Sequence, residues 1–183
     1  LGFHYDEKVD LLLKSASASA KENDFDTAIS TMQKALENMW VSDVTFSPAN
    51  IAKIIPYFQK AGRYSDGVAF ADKYLIPKLI EGYNEAGSTD RAFICLYVAE
   101  VHEKLALNAK REKIKEDETF FSNKAAEMLD AYTKLMEIGR IEDLKEEYQY
   151  MLELFGGDHS KWPDAVLAYF GESDQRFRSY PIT

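Results

Sequence analysis

The hydrophobic residues of this chain recur at three- and four-residue spacings over most of its length. That period places them on one face of an α-helix, whereas a half-buried strand alternates apolar and polar residues. No convincing alternating stretch occurs in the sequence. The pattern therefore predicts an all-α fold of about seven to eight helices. The predicted helices cover about residues 7–22, 25–39, 48–61, 64–81, 88–105, 119–138, 141–155 and 162–170.

Proline and capping residues set the expected ends and bends of these helices. Ser47 can cap the third helix, and Pro48 suits a first turn because it has no amide to leave unpaired. Pro56 removes one hydrogen bond inside that helix and predicts a kink there, and Pro77 predicts a break or a bend in the next helix. The charged segment 108–118 is predicted to be a connection or a frayed helix end.

A helix–turn–helix pattern repeats along the chain. Asn23, Gly62 and Gly139 each close one predicted helix, and a large apolar residue two positions later opens the next. Small or apolar residues follow that opening residue at three, seven and ten positions. Successive turn residues are 39 and 77 positions apart, so the second interval is close to twice the first. A period in this range is typical of stacked helical hairpins, each too small to bury its own apolar face alone.

The first of these repeats resembles the tetratricopeptide repeat family. It has the family's order of a small residue, a turn residue, an aromatic residue and two further small residues: Ala16, Asn23, Phe25, Ala28 and Ala35. The resemblance extends, with larger residues at some of the small positions, over about 9–42, 48–81 and 125–158. It implies stacked antiparallel helical hairpins that form an α–α superhelix.

The resemblance also implies how the chain is organised. We predict a single tetratricopeptide-like domain over residues 1–170 and a polar, mobile C-terminal tail over residues 171–183. The segment 83–124 matches the repeat pattern poorly, so it is predicted to form a longer, atypical half of a hairpin.

In peptide-binding members of this family, the first helix of each hairpin lines a concave groove. Carried over position by position, the resemblance predicts that nine side chains bind a partner: Leu13, Ser17, Lys21, Lys53, Gln59, Lys60, Asp130, Thr133 and Glu137. Some members clamp the tail of a chaperone with Lys and Asn at defined positions of that groove. Leu13 and Ser17 stand at two of those positions here, which argues against that specialised activity.

Residue patterns that carry catalysis or bind metals are missing from the sequence. His102-Glu103 begins like the helical zinc-protease motif, but Ala106 stands where the second histidine ligand is needed. The isolated glycines do not form a phosphate-binding loop. Cys95 is the only cysteine and lies in an apolar stretch, where a buried structural role is predicted. We therefore predict a protein that is not an enzyme and needs no cofactor or metal.

The charge balance bears on the kind of partner. Acidic residues outnumber basic ones, 31 to 22, and the formal net charge is -9. Nucleic-acid affinity comes largely from basic side chains that neutralise phosphates, and the sequence has no basic stripe. A protein or peptide partner is predicted instead, and a basic one would be attracted. No apolar run reaches the roughly 20 residues that cross a bilayer, so no membrane partner is predicted.

Together these observations predict a non-catalytic module, an adaptor or an inhibitor, that binds another protein or peptide in the cytoplasm. The location is inferred from the lack of a secretory signal pattern and of a second cysteine. Three alternatives stay open at this point: a bacterial immunity protein that neutralises a basic toxin, a peptide-sensing regulatory domain of a larger protein, and a helical enzyme without recognisable motifs.

Overall fold

The computed structural model describes residues 6–167 of the chain. Within that range the chain is helical and contains no strand, so the predicted all-α class with seven to eight helices is confirmed. None of these described helices is both long and apolar enough to cross a membrane. The helices, in chain order, are α1 (Glu7–Lys21), α2 (Phe25–Met39), α3 (Pro48–Ala52), α4 (Ile54–Lys60), α5 (Tyr64–Phe70), α6 (Ile76–Leu79), α7 (Ser88–Glu112) and α8 (Lys115–Phe155).

Two aspartates begin the helices of the first hairpin, in which α1 and α2 pack against each other. The carboxylate of Asp6 accepts a hydrogen bond from the backbone amide of Val9, and that of Asp24 accepts one from the amide of Thr27, each at 3.1 Å. Each carboxylate thereby satisfies one of the amides that a first helical turn leaves unpaired. Hydrogen bonds from the side chain and amide of Thr27 hold the pKa of Asp24 below its usual value.

The interruption predicted at Pro56 is present. The third predicted helix is divided at Lys53, between α3 and α4, three residues before the proline. Pro56 has no amide to donate to the carbonyl of Ala52, and its ring crowds that carbonyl. Ser47 caps α3 as predicted, because its hydroxyl accepts the amide of Asn50 at 3.3 Å.

At Pro77, where a break or a bend is predicted, the helix does not break but changes its winding. The turn before α6, Ala71–Leu75, is a π-helix in which the amide of Ile76 donates to the carbonyl of Ala71. A π-turn widens the hydrogen-bonded ring by one residue compared with an α-turn. The wider turn lets the chain continue from α5 into α6, so the helix runs on to Leu79 instead of stopping at the proline.

Three turns between helices share one geometry, each with a residue in the left-handed conformation: Asn23 (φ 62°), Gly62 (φ 70°) and Lys113 (φ 62°). In all three, the next residue donates its amide to the carbonyl five positions earlier, at 2.9 Å. This is the Schellman motif, which satisfies carbonyls at the end of a helix. The first two turns are those predicted from the repeat. The third lies at a lysine.

The predicted third hairpin, over residues 125–158, is wrong. Gly139 does not end a helix, because α8 continues through it as one helix of 41 residues. A glycine inside a helix costs about 1 kcal/mol relative to alanine, and it ends the helix only if its backbone turns left-handed. The residues on either side of Gly139 continue the helical conformation, so the helices predicted over 119–138 and 141–155 are one.

The segment 108–118, predicted to be a connection or a frayed helix end, holds a short connection and the ends of two helices. Only Lys113 and Ile114 separate α7 from α8. Asn108, at the start of this segment, is 2% exposed and belongs to the buried interior. The charges that suggested a loop lie instead at the exposed ends of two helices. The third hairpin of this fold is therefore formed by α7 and the start of α8.

Among the described residues, a hydrophobic cluster lies between the helices of the first two hairpins and α7 and includes Phe121 of α8. Close approach of α4 and α5 depends on Gly67, because a Cβ there would stand 2.8 Å from Cβ of Phe58. Cys95 is buried, as predicted. The largest side chains with essentially no exposure are Val9, Met32, Leu36, Ile54, Ile55, Leu75, Val101 and Leu105.

The chain forms two compact units, Leu1–Met136 and Glu137–Thr183. In the second unit, α8 ends at Phe155, where the helix predicted over 141–155 also ends, and Gly156 follows with φ 76°. Trp162 is 5% exposed, and its indole N–H donates to the carbonyl of Gly156 at 2.9 Å. The predicted single domain over 1–170 stays a prediction.

The helix predicted over 162–170 begins at residue 164, directly after Pro163. Its last three residues lie outside the described residues. The tail predicted over 171–183 also lies outside them.

Candidate binding site

Three of the nine predicted groove residues lie together. Lys53 donates from Nζ to Oγ of Ser17 at 2.7 Å, and Ser17 donates from Oγ to the carbonyl of Leu13 at 2.6 Å. The bonds join α1 to the break between α3 and α4. No carboxylate forms an ion pair with Lys53 within the described residues. Two of the ammonium's three donors therefore stay available for an anionic or carbonyl group.

The other groove residues of the first two hairpins engage different neighbours. Gln59 donates from Nε2 to Oε1 of Glu112 at 2.8 Å, which links α4 to the end of α7. The ammonium of Lys60 lies 5.8 Å from the centre of the Phe25 ring, a cation–π distance. Lys21 is exposed in the last turn of α1.

The three residues assigned to a third hairpin all lie on α8. Asp130 pairs with Lys134 at 2.6 Å, and Thr133 donates to the carbonyl of Leu129 at 3.0 Å. Glu137 belongs to the second unit. Because no hairpin turns at Gly139, the basis for placing these three in a common groove is gone. A role for any of the nine residues in binding stays a prediction.

A pocket of about 230 Å³ opens between the segment that follows α2 and the face of α7. A cavity of about 150 Å³ is sufficient to take up benzene, so this one accommodates a phenyl-sized group. None of its lining residues is charged. The lining residues are Met39, Trp40, Val44, Thr45, Phe46, Ile51, Leu79, Phe93, Ile94 and Tyr97.

Side-chain hydrogen bonds hold the walls of this pocket. The hydroxyl of Tyr97 donates to the carbonyl of Phe46, which joins α7 to the segment after α2. The indole N–H of Trp40 donates to the hydroxyl of Tyr74 at 3.2 Å, in the π-helical turn. Burial raises the pKa of Tyr97, so its hydroxyl keeps its proton and remains a donor at neutral pH.

A second tie fixes the start of the same segment. Ser42 donates from Oγ to Oδ2 of Asp6 at 2.7 Å, next to the N-terminus of α1. The Asp6 carboxylate therefore caps α1 and also holds the segment 41–46. The loop wall of the pocket is thus bonded at Ser42 and at Phe46, on both sides of Val44.

Large apolar side chains are exposed to solvent at the edge of the pocket. Phe93 is 44% exposed, and its ring centre lies 6.5 Å from that of Tyr132 on α8. Val41, next to the lining residue Trp40, is 83% exposed, and Ile80, next to Leu79, is 47% exposed. Large apolar groups exposed around a concave apolar site are typical of surfaces that bind a partner.

Sequence reasoning missed this pocket. The spacing of Phe93 and Tyr97 predicts one stripe facing the core, but only the Tyr97 side of that stripe is covered, and Phe93 stays exposed. The available signal was the cluster Trp40, Val41 and Phe46 outside the predicted helices, where no helical stripe accounts for large apolar residues.

The described residues hold no constellation that points to metal chemistry. No group of three or more His, Cys, Asp and Glu side chains among residues 6–167 is placed to hold a metal ion. His159 and Tyr148 contact each other, with Nε2 and the hydroxyl oxygen 2.9 Å apart, but both are packed with Trp162 in the second unit.

Comparison of the chain with models of protein families, with curated proteins and with solved structures finds no significant match. The likeness to tetratricopeptide repeats therefore stays an expectation that rests on the residues quoted above. Function has to be inferred from the geometry of the chain itself.

Proposed function

We propose that this protein is a non-catalytic binding module for another protein or peptide, and that the pocket between α7 and the segment after α2 receives a side chain of that partner. One observation carries the proposal: a pocket lined by apolar and aromatic side chains, with Phe93 exposed at its edge. Aromatic side chains beside well-packed pockets are enriched among the residues that dominate binding energy.

The way the pocket is held supports the same proposal. Its walls are joined by the bonds of Tyr97 to Phe46 and of Trp40 to Tyr74. A site formed before the partner arrives loses less conformational entropy on binding than one that must be ordered. The exposed apolar area at Val41 and Phe93 is then covered in the complex, which gives a reason for its presence on the free protein.

Other parts of this proposal rest on the sequence. They are the tetratricopeptide-like superhelix, the cytoplasmic location and the preference for a basic partner over nucleic acid. The net charge of -9 supports the last of these, because an acidic surface attracts basic polypeptides and repels phosphates.

Two substitutions on the same helix provide the test. Phe93→Asp places a charge at the edge of the pocket. Leu107→Asp is its matched control, since Leu107 is exposed to a similar extent, 41% against 44%. It lies 14 positions further along α7, about 21 Å away along the helix axis and on nearly the same face. Circular dichroism and thermal unfolding establish that both variants keep the fold.

The three proteins are immobilised and used to capture partners from cells that produce the chain, with quantitative mass spectrometry. We expect one protein to be enriched by the wild type and by Leu107→Asp, and about ten-fold less by Phe93→Asp, in line with the loss of a dominant contact. Equal recovery with all three proteins, or no reproducible protein with any of them, contradicts the proposal.

A further inference from the structure

Two carboxylates at the rim of the pocket have no partner among residues 6–167. Asp43 stands in the loop wall, between the lining residues Trp40 and Val44, and is exposed. Asp90 stands in the first turn of α7, four positions before Ile94. Within residues 6–167, neither carboxylate takes part in a hydrogen bond or an ion pair.

Helical spacing places Asp90 on the pocket side of α7. Residues three or four positions apart lie on the same face of a helix, and Asp90, Ile94 and Tyr97 follow that spacing. Ile94 and Tyr97 both line the pocket. One carboxylate therefore stands on each of two walls, and the bond of Tyr97 to Phe46 holds those walls together.

The cations closest in sequence to the lining residues each already donate a hydrogen bond. Lys53, two positions after Ile51, donates to Ser17 of α1. Lys78, next to Leu79, pairs with Glu81 at 2.5 Å. Arg91 donates to the carbonyls of Tyr83 and Asn84 at 2.9 and 2.6 Å. The charged groups beside the pocket that have no hydrogen-bond or ion-pair partner within residues 6–167, Asp43 and Asp90, are therefore both negative. Their charge has the same sign as the net charge of the chain.

We infer that the partner segment inserts one large apolar side chain, aromatic or long aliphatic, that is flanked by lysine or arginine. This inference rests on the proposed function and specifies its ligand. The apolar side chain fills the pocket between Trp40 and Tyr97. The flanking cations lie over the rim, where Asp43 and Asp90 pair with them. A segment with acidic flanks is repelled by the same two carboxylates, so the rim selects among apolar anchors.

Three synthetic peptides with blocked ends test the chemistry. Each holds one central phenylalanine in a Gly/Ser context, flanked by lysines, by serines or by glutamates. Each is titrated into the full-length ¹⁵N-labelled protein at low salt, and the backbone amide signals of residues 39–46 and 90–97 report binding. The lysine-flanked peptide should bind about ten-fold more tightly than the serine-flanked one, as expected for two exposed ion pairs of two- to five-fold each.

Salt and a double variant separate charge from shape. The advantage of the lysine-flanked peptide should shrink to about two-fold or less at 0.5 M salt, because exposed ion pairs are screened. In Asp43→Asn/Asp90→Asn it should also shrink to about two-fold or less, while the serine-flanked peptide binds as it does to the wild type. Glu85→Gln provides a control, since Glu85 is an exposed acid that precedes α7 and is not adjacent in sequence to any lining residue.

The outcomes distinguish a failure of the inference about charge from a failure of the proposed binding function. Equal affinity for the lysine- and serine-flanked peptides, with signals changing at the pocket, overturns the inference about charge and leaves the binding function standing. The inference about charge is also overturned, and the binding function left standing, if Asp43→Asn/Asp90→Asn keeps the full preference for the lysine-flanked peptide. If none of the three peptides changes the amide signals of the pocket, the pocket does not take up an apolar anchor, and both proposals fail.

Discussion

Asn108 of α7 donates a hydrogen bond from Nδ2 to the backbone carbonyl oxygen of Ile55 in α4, at 3.0 Å. The side chain is 2% exposed, and its Oδ1 has no hydrogen-bond partner among the described residues. The bond ties α7 to the second hairpin through the interior. A buried polar atom without a partner costs stability, so one half of this amide stabilises the fold and the other half opposes it.

These opposing effects of the Asn108 amide predict that alanine and leucine at this position lower the stability to different extents. Asn108→Ala should lower the free energy of unfolding by about 1–3 kcal/mol, because it removes the bond and leaves a void. Asn108→Leu should cost less than alanine, since it removes the unpaired oxygen and nearly keeps the volume. Urea unfolding followed by circular dichroism measures both. A larger loss for leucine than for alanine would show that Oδ1 is well accommodated.

The close approach at Gly67 gives a second prediction. An alanine there brings its Cβ to 2.8 Å from Cβ of Phe58, so α4 and α5 must move apart. We expect Gly67→Ala to destabilise the protein by about 1–3 kcal/mol, as overpacking does, although alanine is the better helix former. Gly87→Ala is the control, because nothing lies within 4 Å of its added Cβ. Its effect should stay within about 0.5 kcal/mol in the same urea titration.

The left-handed lysine between α7 and α8 gives a third prediction. Lys113 has φ 62°, a conformation that a side chain with a Cβ disfavours by about 1 kcal/mol or more. Lys113→Gly should therefore stabilise the protein by about 0.5–1 kcal/mol. Lys110→Gly, one turn earlier inside α7, should destabilise it by a similar amount. If thermal unfolding shows that both substitutions stabilise the protein, or that both destabilise it, the left-handed conformation of Lys113 is contradicted.

The same lysine explains how far the sequence could predict the fold. Hairpins that turn at Asn23 and Gly62 were predictable, because those residue types favour the left-handed conformation. The third turn was sought at Gly139 for the same reason. The preference involved is only about 1 kcal/mol, however, and the chain does not follow it at Lys113 or at Gly139. Local preferences therefore identify two of the three turns.

The candidate site was less predictable than the helices. Periodicity predicts that Phe93 and Tyr97 share a helical face, but it does not tell which part of that face another segment covers. The segment 41–46 lies against Tyr97 because of bonds to Asp6 and Tyr97, which join residues far apart in sequence. Pairings of this kind have no local signature. The pocket could be found only from the structure.

The stacking of His102 on Phe121 gives the last prediction. His102 of α7 lies with its ring centre 6.0 Å from that of Phe121 of α8, and the two planes are 22° apart. Its Nδ1 is buried with no hydrogen-bond partner among the described residues. Burial lowers the pKa of His102, the ammonium of Lys124 lowers it further, and the carboxylate of Glu127 acts in the opposite direction.

A lowered histidine pKa makes folding dependent on pH in a known direction. Below the ordinary value of 6.5, the unfolded chain binds a proton that the folded protein does not yet bind. The contribution of His102 to the free energy of unfolding is therefore fully present above pH 6.5. It is lost as the pH falls from there through the pKa of His102 in the folded protein. The carboxylates of Asp6 and Asp24 do not confound this window, because their lowered pKa values act below 3.8.

We therefore expect the urea midpoint of the wild type to be lower at pH 5.5 than at pH 7.5, and His102→Phe to reduce that difference. Phenylalanine keeps an aromatic ring against Phe121 and cannot take up a proton, so the variant separates packing from charge. Lys124→Gln should raise the pKa of His102 toward its ordinary value, because it removes a cation that disfavours protonation. It should therefore also leave a smaller pH dependence than the wild type has. An identical fall of the midpoint in the wild type and in His102→Phe would assign the effect to other groups.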